Sequence, residues 1–129
     1  MGYIEEVNEA LAAFPPFWQR VGEYRFTENA LDTLQINIGL KCNLACKHCH
    51  VESSPARTEE MSRETLEQCL AVFCDRGFKT IDITGGAPEM NPNYEWFLRE
   101  AVGAGASVMT RSNLSICKEP GYEGIPELW

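Results

Sequence analysis

The sequence predicts an α/β fold in which strands alternate with helices and pair in parallel. Residues 34–40 alternate between apolar and polar side chains, a pattern typical of a strand with one polar face. Further short strands are predicted at Thr80–Thr84 and Ser107–Thr110, each after a helical pattern. The order strand, helix, strand, helix, strand implies crossover connections, with ligands gathered beyond the carboxyl ends of the strands.

The chain begins with a predicted amphipathic helix. Ile4, Val7 and Leu11 recur at helical spacing, and two prolines directly after Phe14 end the pattern. We therefore expect a leader helix over residues 3–14 that packs on the outside of the α/β unit.

Two more helices are predicted between the strands. Ser62 is the predicted N-cap of the first helix, Leu66 lies on its apolar stripe, and Gly77 closes it. Asn91 and Pro92 are the predicted N-cap and first position of the second helix. The residues expected to end that helix are Gly103 and Gly105. Glycines and prolines near the end of the chain exclude a long regular element there.

Polar residues recur along two of the predicted strands. Gln35, Asn37, Asp82 and Thr84 would suit the lumen of an open barrel that holds a polar ligand. A sheet with one solvated face explains the same pattern, and the sequence leaves both interpretations open.

Composition restricts the function. The 129 residues carry a formal net charge of −8, which would repel a phosphate backbone and argues against a nucleic-acid partner. No stretch approaches the roughly 20 apolar residues of a membrane helix, and the N-terminus lacks the pattern of a signal peptide. We therefore expect a cytoplasmic protein without a membrane partner, whose six cysteines are metal ligands or core residues rather than disulfides.

Three cysteines come after the first predicted strand within eight residues. Cys42, Cys46 and Cys49 lie in a short polar loop that could wrap one face of a compact centre. Three thiolates hold three corners of a [4Fe–4S] cubane and leave the fourth iron free for a small ligand. This spacing predicts a cluster with an open iron, which favours catalysis over electron storage.

Other interpretations of the loop stay open. Cys46, Cys49 and His50 match the pattern of covalent haem attachment, but that site would not use Cys42. A structural zinc site could take His48 or His50 as a fourth ligand. Unliganded thiols are the remaining alternative, although so polar a loop is poorly suited to a core.

The pattern Cys-x3-Cys-x2-Cys, with an aromatic ring at His48 before the last cysteine, resembles the signature of the radical S-adenosylmethionine (radical SAM) superfamily. The resemblance implies that S-adenosylmethionine binds the open iron and is cleaved at its S–C5′ bond by an electron from the cluster, ordinarily giving a 5′-deoxyadenosyl radical. It also implies a small-molecule substrate and an electron donor such as flavodoxin or ferredoxin. The implied fold is a partial (β/α)6 TIM-like barrel, of which this chain would supply three β/α units.

A glycine pair after the second strand supports this resemblance. Gly85 and Gly86 are similar to the family's Gly-Gly-Glu segment, which receives the amino group of S-adenosylmethionine, and glycines let a chain approach a ligand closely. Here Ala87 and Pro88 intervene before Glu89, which puts a direct role for that carboxylate in doubt. The cofactor-binding residues implied are His48, Gly85, Gly86, Ala87, Pro88, Ser112 and Asn113. A tight turn before a helix is the alternative for the glycine pair.

The segments at residues 34–52, 84–89 and 111–114 together resemble the arsenosugar-biosynthesis branch, also described as radical SAM/Cys-rich domain proteins. That branch is linked to transfer of the adenosyl group to a methylated trivalent arsenical. Within the last segment, Arg111, Ser112 and Asn113 could donate to the ribose or carboxylate of the cofactor, or form a surface turn.

The resemblance divides the chain into a helical leader at residues 1–30 and an incomplete radical SAM core at residues 31–129. With about half of the family's strands, we expect the chain to be part of a longer enzyme. A non-catalytic iron–sulfur or zinc module is the competing hypothesis. Cys69 and Cys74 are predicted to be inert packing residues, and Cys117 a stray or redox thiol.

Overall fold

The computed structural model describes residues 2–15, 19–20 and 31–129, and the chain divides into two compact units, residues 1–30 and 31–129. In the first unit, helix α1 covers Tyr3–Ala12. The backbone N–H of Gly2 donates to the Glu5 carboxylate at 2.9 Å, next to the helix start. The helix is thus confirmed and ends slightly earlier than predicted, whereas its packing on the second unit stays a prediction.

Three parallel strands form the sheet of the second unit. Strands β1 (Thr33–Asn37), β2 (Thr80–Thr84) and β3 (Ser107–Thr110) lie in the order β1-β2-β3. This confirms the predicted α/β class, with β2 and β3 at their predicted positions. Strand β1 ends three residues early because Gly39 and Lys41 leave the sheet and bridge to Glu60 and Ser54 instead.

Helix α2 covers Arg63–Arg76 and has the predicted caps. The Ser62 hydroxyl accepts the Thr65 backbone N–H at 3.3 Å, and Gly77 ends the helix with a φ of 69°. Local signals therefore decide both boundaries of this helix.

The predicted start of the next helix is wrong. Helix α3 covers Tyr94–Gly103, and its N-cap is Asn93 rather than Asn91. The buried Asn91 side chain donates to the carbonyls of Ile38 at 2.8 Å and Met61 at 3.0 Å. The side chain is therefore committed to joining the end of β1 to the start of α2, and Pro92 is not the first helical residue.

The helices cover one face of the sheet and leave the other polar. Ile36, Ile81 and Ile83 point into an apolar core with side chains from α2 and α3. On the opposite face Gln35 and Asn37 are exposed. Besides the sheet and the longer helices, the second unit has 3₁₀ helices at Pro88–Met90 and Ser115–Lys118, and the short helix α4 at Ile125–Leu128. No helix of the described residues is long and apolar enough to cross a membrane.

Candidate functional site

A cavity of about 230 Å³ opens where the cysteine loop and the turn after β2 meet, beyond the carboxyl ends of the strands. All three cysteines of the loop line it. Four other predicted site residues also line it: His48, Gly85, Gly86 and Asn113. The arrangement matches the position expected for ligands in a parallel α/β sheet.

Cys42 is the most buried of the three cysteines in the loop. It is only 7% exposed, and its backbone N–H donates to the Ser54 carbonyl at 3.1 Å. Its Sγ accepts the backbone N–H of Leu44 at 3.4 Å and the Asn113 side-chain amide at 3.6 Å. These contacts fix the position of the Cys42 sulfur in the wall of the cavity.

The orientation of the Asn113 amide is fixed by its other contacts. Its Oδ1 accepts the backbone N–H of Ile116 at 3.2 Å and the Ser115 hydroxyl at 3.0 Å. Exchanging the oxygen and nitrogen would set an NH₂ group against the Ile116 N–H, so Nδ2 must face Cys42 Sγ. Asn113 is thus a hydrogen-bond donor to the first cysteine.

Cys49 is half-buried and also receives hydrogen bonds. The backbone N–H of Ser53 donates to its Sγ at 3.3 Å. Backbone donation from Ser53, followed by that from Val51, holds the pKa of the Cys49 thiol below its ordinary value. Cys46, by contrast, is exposed, and within the described ranges its sulfur receives no hydrogen bond.

The thiols do not form a site for a single metal ion. In the part of the chain that the structure describes, no three His, Cys, Asp or Glu side chains lie close enough together to hold one ion. A zinc site needs its ligands converged at about 2.3 Å from one metal. Cubane ligands bind separate irons and surround a larger centre. Three thiols around a shared cavity therefore fit a cluster better than zinc.

The glycine pair packs against the backbone of the cysteine loop. The Gly86 N–H donates to the Gly39 carbonyl at 2.9 Å, and a Cβ on Gly86 would lie 2.4 Å from the Lys41 carbonyl oxygen. A Cβ on Gly85 would lie 2.7 Å from the Gly39 carbonyl oxygen. Side chains at these two positions are thus excluded by the backbone of the loop, rather than by the approach of a ligand as the sequence suggests.

The next three residues lie beneath the cavity rather than in its wall. Ala87 is buried in a small cluster with Cys42 and Ile116, and Pro88 is fully buried. Neither lines the cavity, and their role in cofactor binding stays a prediction. Glu89 is also buried, and its two carboxylate oxygens have no hydrogen-bond partner in the described residues.

Residues 111–113, which follow β3, contact two different parts of the structure. Arg111 donates through Nε and Nη2 to the Asp82 carboxylate, at 3.0 and 2.6 Å, and Gln35 donates to it at 2.7 Å. Hydrogen bonding from Arg111, then from Gln35, holds the pKa of Asp82 below its ordinary value. The Ser112 hydroxyl accepts the Leu114 backbone N–H at 3.1 Å, outside the cavity. Of the three predicted donors, only Asn113 reaches the cavity.

The prediction missed Ser53, His50 and Leu44, which also line the cavity. Ser53 is the most informative, because its hydroxyl is buried and has no hydrogen-bond partner among the described residues. Nothing in the sequence separates it from its neighbour Ser54. The distinction arises only when the chain folds back on the loop.

The other cysteines lie outside this cavity. Cys69 is partly buried against the core, where burial raises the pKa of its thiol. Cys74 is exposed, so its prediction as a packing residue is wrong: it lies off the apolar stripe of α2. Cys117 is half-buried against the Cys42 cluster.

Comparison with known proteins identifies the family. The model of the radical SAM superfamily matches residues 36–121, more than half of the chain. Over 86 residues the chain is 31% identical to the antilisterial bacteriocin subtilosin biosynthesis protein AlbA of Bacillus subtilis (strain 168), covering 60% of this chain and 19% of AlbA. Over 58 residues it is 38% identical to the probable GTP 3',8-cyclase of Methanothermobacter marburgensis, covering 45% of this chain and 19% of that protein.

A third relative is the putative peptide biosynthesis protein YydG of Bacillus subtilis (strain 168), 35% identical over 69 residues that cover 53% of this chain and 21% of YydG. The chain thus spans about a fifth of the length of the curated relatives it matches. Superfamily proteins are enzymes that bind a [4Fe–4S] cluster and S-adenosylmethionine. By this match, the chain belongs to the radical SAM superfamily.

Proposed function

We propose that Cys42, Cys46 and Cys49 hold a [4Fe–4S] cluster whose open iron binds S-adenosylmethionine for reductive cleavage. The observation that carries this proposal is the shared cavity, which the three thiols and the glycine turn line at the carboxyl ends of parallel strands. When bound, the cluster supplies the electron that breaks the S–C5′ bond of the cofactor.

The chain's own residues bind and orient these groups. Donors to the sulfurs of Cys42 and Cys49 hold both ligands in place, and the lowered pKa of Cys49 favours the thiolate that ligation requires at that position. His48, Gly85, Gly86 and Asn113 line the same cavity and are proposed to contact S-adenosylmethionine. Ala87 and Pro88 are buried next to the glycine turn, and we propose that they and Ser112 contribute to cofactor binding through the residues that line the cavity.

We propose that residues 31–129 supply three β/α units of a partial (β/α)6 barrel, with residues 1–30 as a leader. The polar face of the sheet supports a lumen, because Gln35 and Arg111 converge there on the buried Asp82. A flavodoxin or ferredoxin is the proposed electron donor. A small molecule in this lumen is the proposed substrate class.

The substrate proposed from the sequence is a methylated trivalent arsenical that receives the adenosyl group. This rests on the motifs at residues 34–52, 84–89 and 111–114 alone, since AlbA and the GTP 3',8-cyclase carry other functions in their names. Because we expect the chain to be part of a longer enzyme, the test uses that longer enzyme, reduced with S-adenosylmethionine and a methylated arsenical, GTP or a peptide in separate reactions, and mass spectrometry identifies the product. An adenosylated arsenical is expected, and a product from another candidate with none from the arsenical contradicts the branch assignment.

Cluster binding itself is tested by anaerobic reconstitution of the chain with iron and sulfide. We expect visible absorbance typical of an iron–sulfur cluster and, after reduction, an electron paramagnetic resonance spectrum that changes when S-adenosylmethionine is added. A zinc module would give neither signal. A cluster that ignores the cofactor would support the competing hypothesis of a non-catalytic module.

A further inference from the structure

The Ser53 hydroxyl is a buried donor without a well-formed hydrogen bond, and it belongs to a residue that lines the cavity. Ser53 is 5% exposed, and its Oγ makes no hydrogen bond to any described residue. The same residue lines the cavity together with the three cysteines. Its backbone N–H already donates to Cys49 Sγ at 3.3 Å. After that backbone donor, the Ser53 side chain also lowers the pKa of the Cys49 thiol, so the hydroxyl lies beside a sulfur ligand in the wall of the cavity.

An unpaired buried hydroxyl requires an explanation, because folding removes it from water without returning a hydrogen bond. A group bound in the cavity can supply the missing partner. Glu89 carries the other unpaired buried side-chain oxygens of the described residues, but it does not line the cavity. A ligand in the cavity would therefore supply a partner for the Ser53 hydroxyl but not for the Glu89 carboxylate.

The chemistry of the cavity indicates which ligand atom accepts this bond. The other polar side chains in its wall are thiols, two histidines and the Asn113 amide, and no carboxylate is among them. Thiolates and the sulfides of a cluster carry negative charge and accept hydrogen bonds, which help to set the reduction potential. Ser53 can offer an O–H to such a sulfur next to its own N–H donor.

We propose that Ser53 is a further cluster-binding residue, whose hydroxyl donates to a sulfur of the cluster at its Cys49 corner. The inference deepens the proposed function and rests on it. Reduction adds an electron to the cluster, so a donor to its sulfur stabilises the reduced form. Loss of the hydroxyl therefore shifts the midpoint potential to more negative values. In the cluster-free chain the same loss removes an unpaired buried group and raises the melting temperature.

The test compares Ser53→Ala with the wild-type chain and with Ser54→Ala, the matched control. Ser54 is half-buried, and its hydrogen bond with Cys42 uses its backbone carbonyl, which alanine retains. Each reconstituted chain is titrated anaerobically with reductant while the reduced cluster is followed by electron paramagnetic resonance. Thermal melting is measured on the cluster-free chains. Only Ser53→Ala should show a more negative potential and a higher melting temperature, and Ser53→Thr, which keeps the hydroxyl, should retain the wild-type potential.

The outcomes separate this inference from the proposed function. A wild-type chain that assembles no cluster overturns both. A wild-type cluster with an unchanged potential in Ser53→Ala overturns only the role of Ser53, as does weaker binding of S-adenosylmethionine without a change in potential. If Ser53→Ala loses the cluster while Ser54→Ala and Ser53→Thr keep it, the binding role is supported by iron content instead.

Discussion

The first and middle cysteines of the loop differ in how far the fold prepares them for a ligand. Cys42 is buried, hydrogen-bonded through its backbone and approached by two donors at its sulfur. Cys46 is exposed, and in the described part of the chain no donor reaches its sulfur. Contacts near β1 and the turn after β2 therefore hold the thiol of Cys42, whereas Cys46 is held through its backbone carbonyl, which accepts the Cys49 N–H at 3.1 Å.

The largest expected effect is loss of the cluster, and it should be the same for the buried and the exposed cysteine. Replacing Cys42, Cys46 or Cys49 by alanine should abolish the cluster in every case, because no other cysteine is close enough in the loop to take over. Iron content and visible absorbance after reconstitution are the measurements. Cys69→Ala should keep its cluster, since that thiol packs in α2. Near-normal iron content in Cys42→Ala would refute the three-ligand assignment.

The same variants reveal the difference between the two cysteines when no cluster is present. Cys42→Ala should lower the free energy of unfolding by about 1 kcal/mol, since it removes a buried side chain. Cys46→Ala should change it by less than about 0.5 kcal/mol, as surface substitutions usually do. Urea denaturation of the cluster-free chains measures both values, and equal losses would contradict the comparison.

The second effect concerns Gly86, which packs against the backbone just before Cys42. Gly86→Ala places a Cβ 2.4 Å from the Lys41 carbonyl oxygen, so the backbone before Cys42 must move. We expect a loss of about 1–3 kcal/mol in stability and a reduced iron content after reconstitution. Gly103→Ala is the matched control, because a Cβ there meets no atom within 4 Å.

This expectation corrects the one that the sequence suggests, namely that Gly86→Val keeps the cluster and weakens only the binding of S-adenosylmethionine. A Gly86→Val chain with wild-type iron content and weaker cofactor binding would restore the sequence-based interpretation. Calorimetry with S-adenosylmethionine and an iron assay on the same sample decide between the two.

The contrast within the loop also shows what the sequence could predict. Strand β2, the Ser62 and Gly77 caps and the cysteine spacing depend on local patterns, so neighbouring residues are enough to predict them. The predicted helix start at Asn91 is wrong because the N-cap is Asn93, whose N–H donates to Asn91 Oδ1, while the Asn91 amide makes tertiary contacts that the local sequence does not reveal. Ser53 carries no local signal at all, since its burial depends on distant parts of the chain.

The third effect acts on one sulfur without moving the loop. Asn113→Ala removes the amide donor to Cys42 Sγ, so the cluster should assemble with a more negative midpoint potential. If the bond differs by on the order of 1 kcal/mol between the two redox states, the shift is a few tens of millivolts. Asn43→Ala is the control, because Asn43 accepts from the same amide at 2.9 Å but is not the donor to the sulfur. Equal potentials in both variants would assign the shift to the loop as a whole.

The smallest effect concerns the attachment of the Asn113 segment to the sheet. The Arg111 guanidinium holds the pKa of Asp82 below its ordinary value of 3.8, so the folded chain binds fewer protons there than the unfolded chain. The stability from this pair is fully present above about pH 4 and is lost as the pH falls through the lowered pKa of the folded state. Because the Arg111 side chain is 58% exposed, solvent screening keeps this contribution small.

Asp82→Asn should remove this acid-dependent step while keeping the shape of the side chain. Urea denaturation between pH 3 and pH 6 should give a smaller loss of stability toward low pH than in wild type, whereas Asp75→Asn should not, since Asp75 pairs only with its exposed neighbour Arg76 among the described residues. The Arg111 backbone N–H still donates to the Ile83 carbonyl at 2.9 Å in the variant, so the segment stays attached to β2. The potential of the cluster should therefore remain close to wild type. A shift as large as that of Asn113→Ala would mean that the Asp82 pair, rather than the local contacts of Asn113, positions the donor to Cys42.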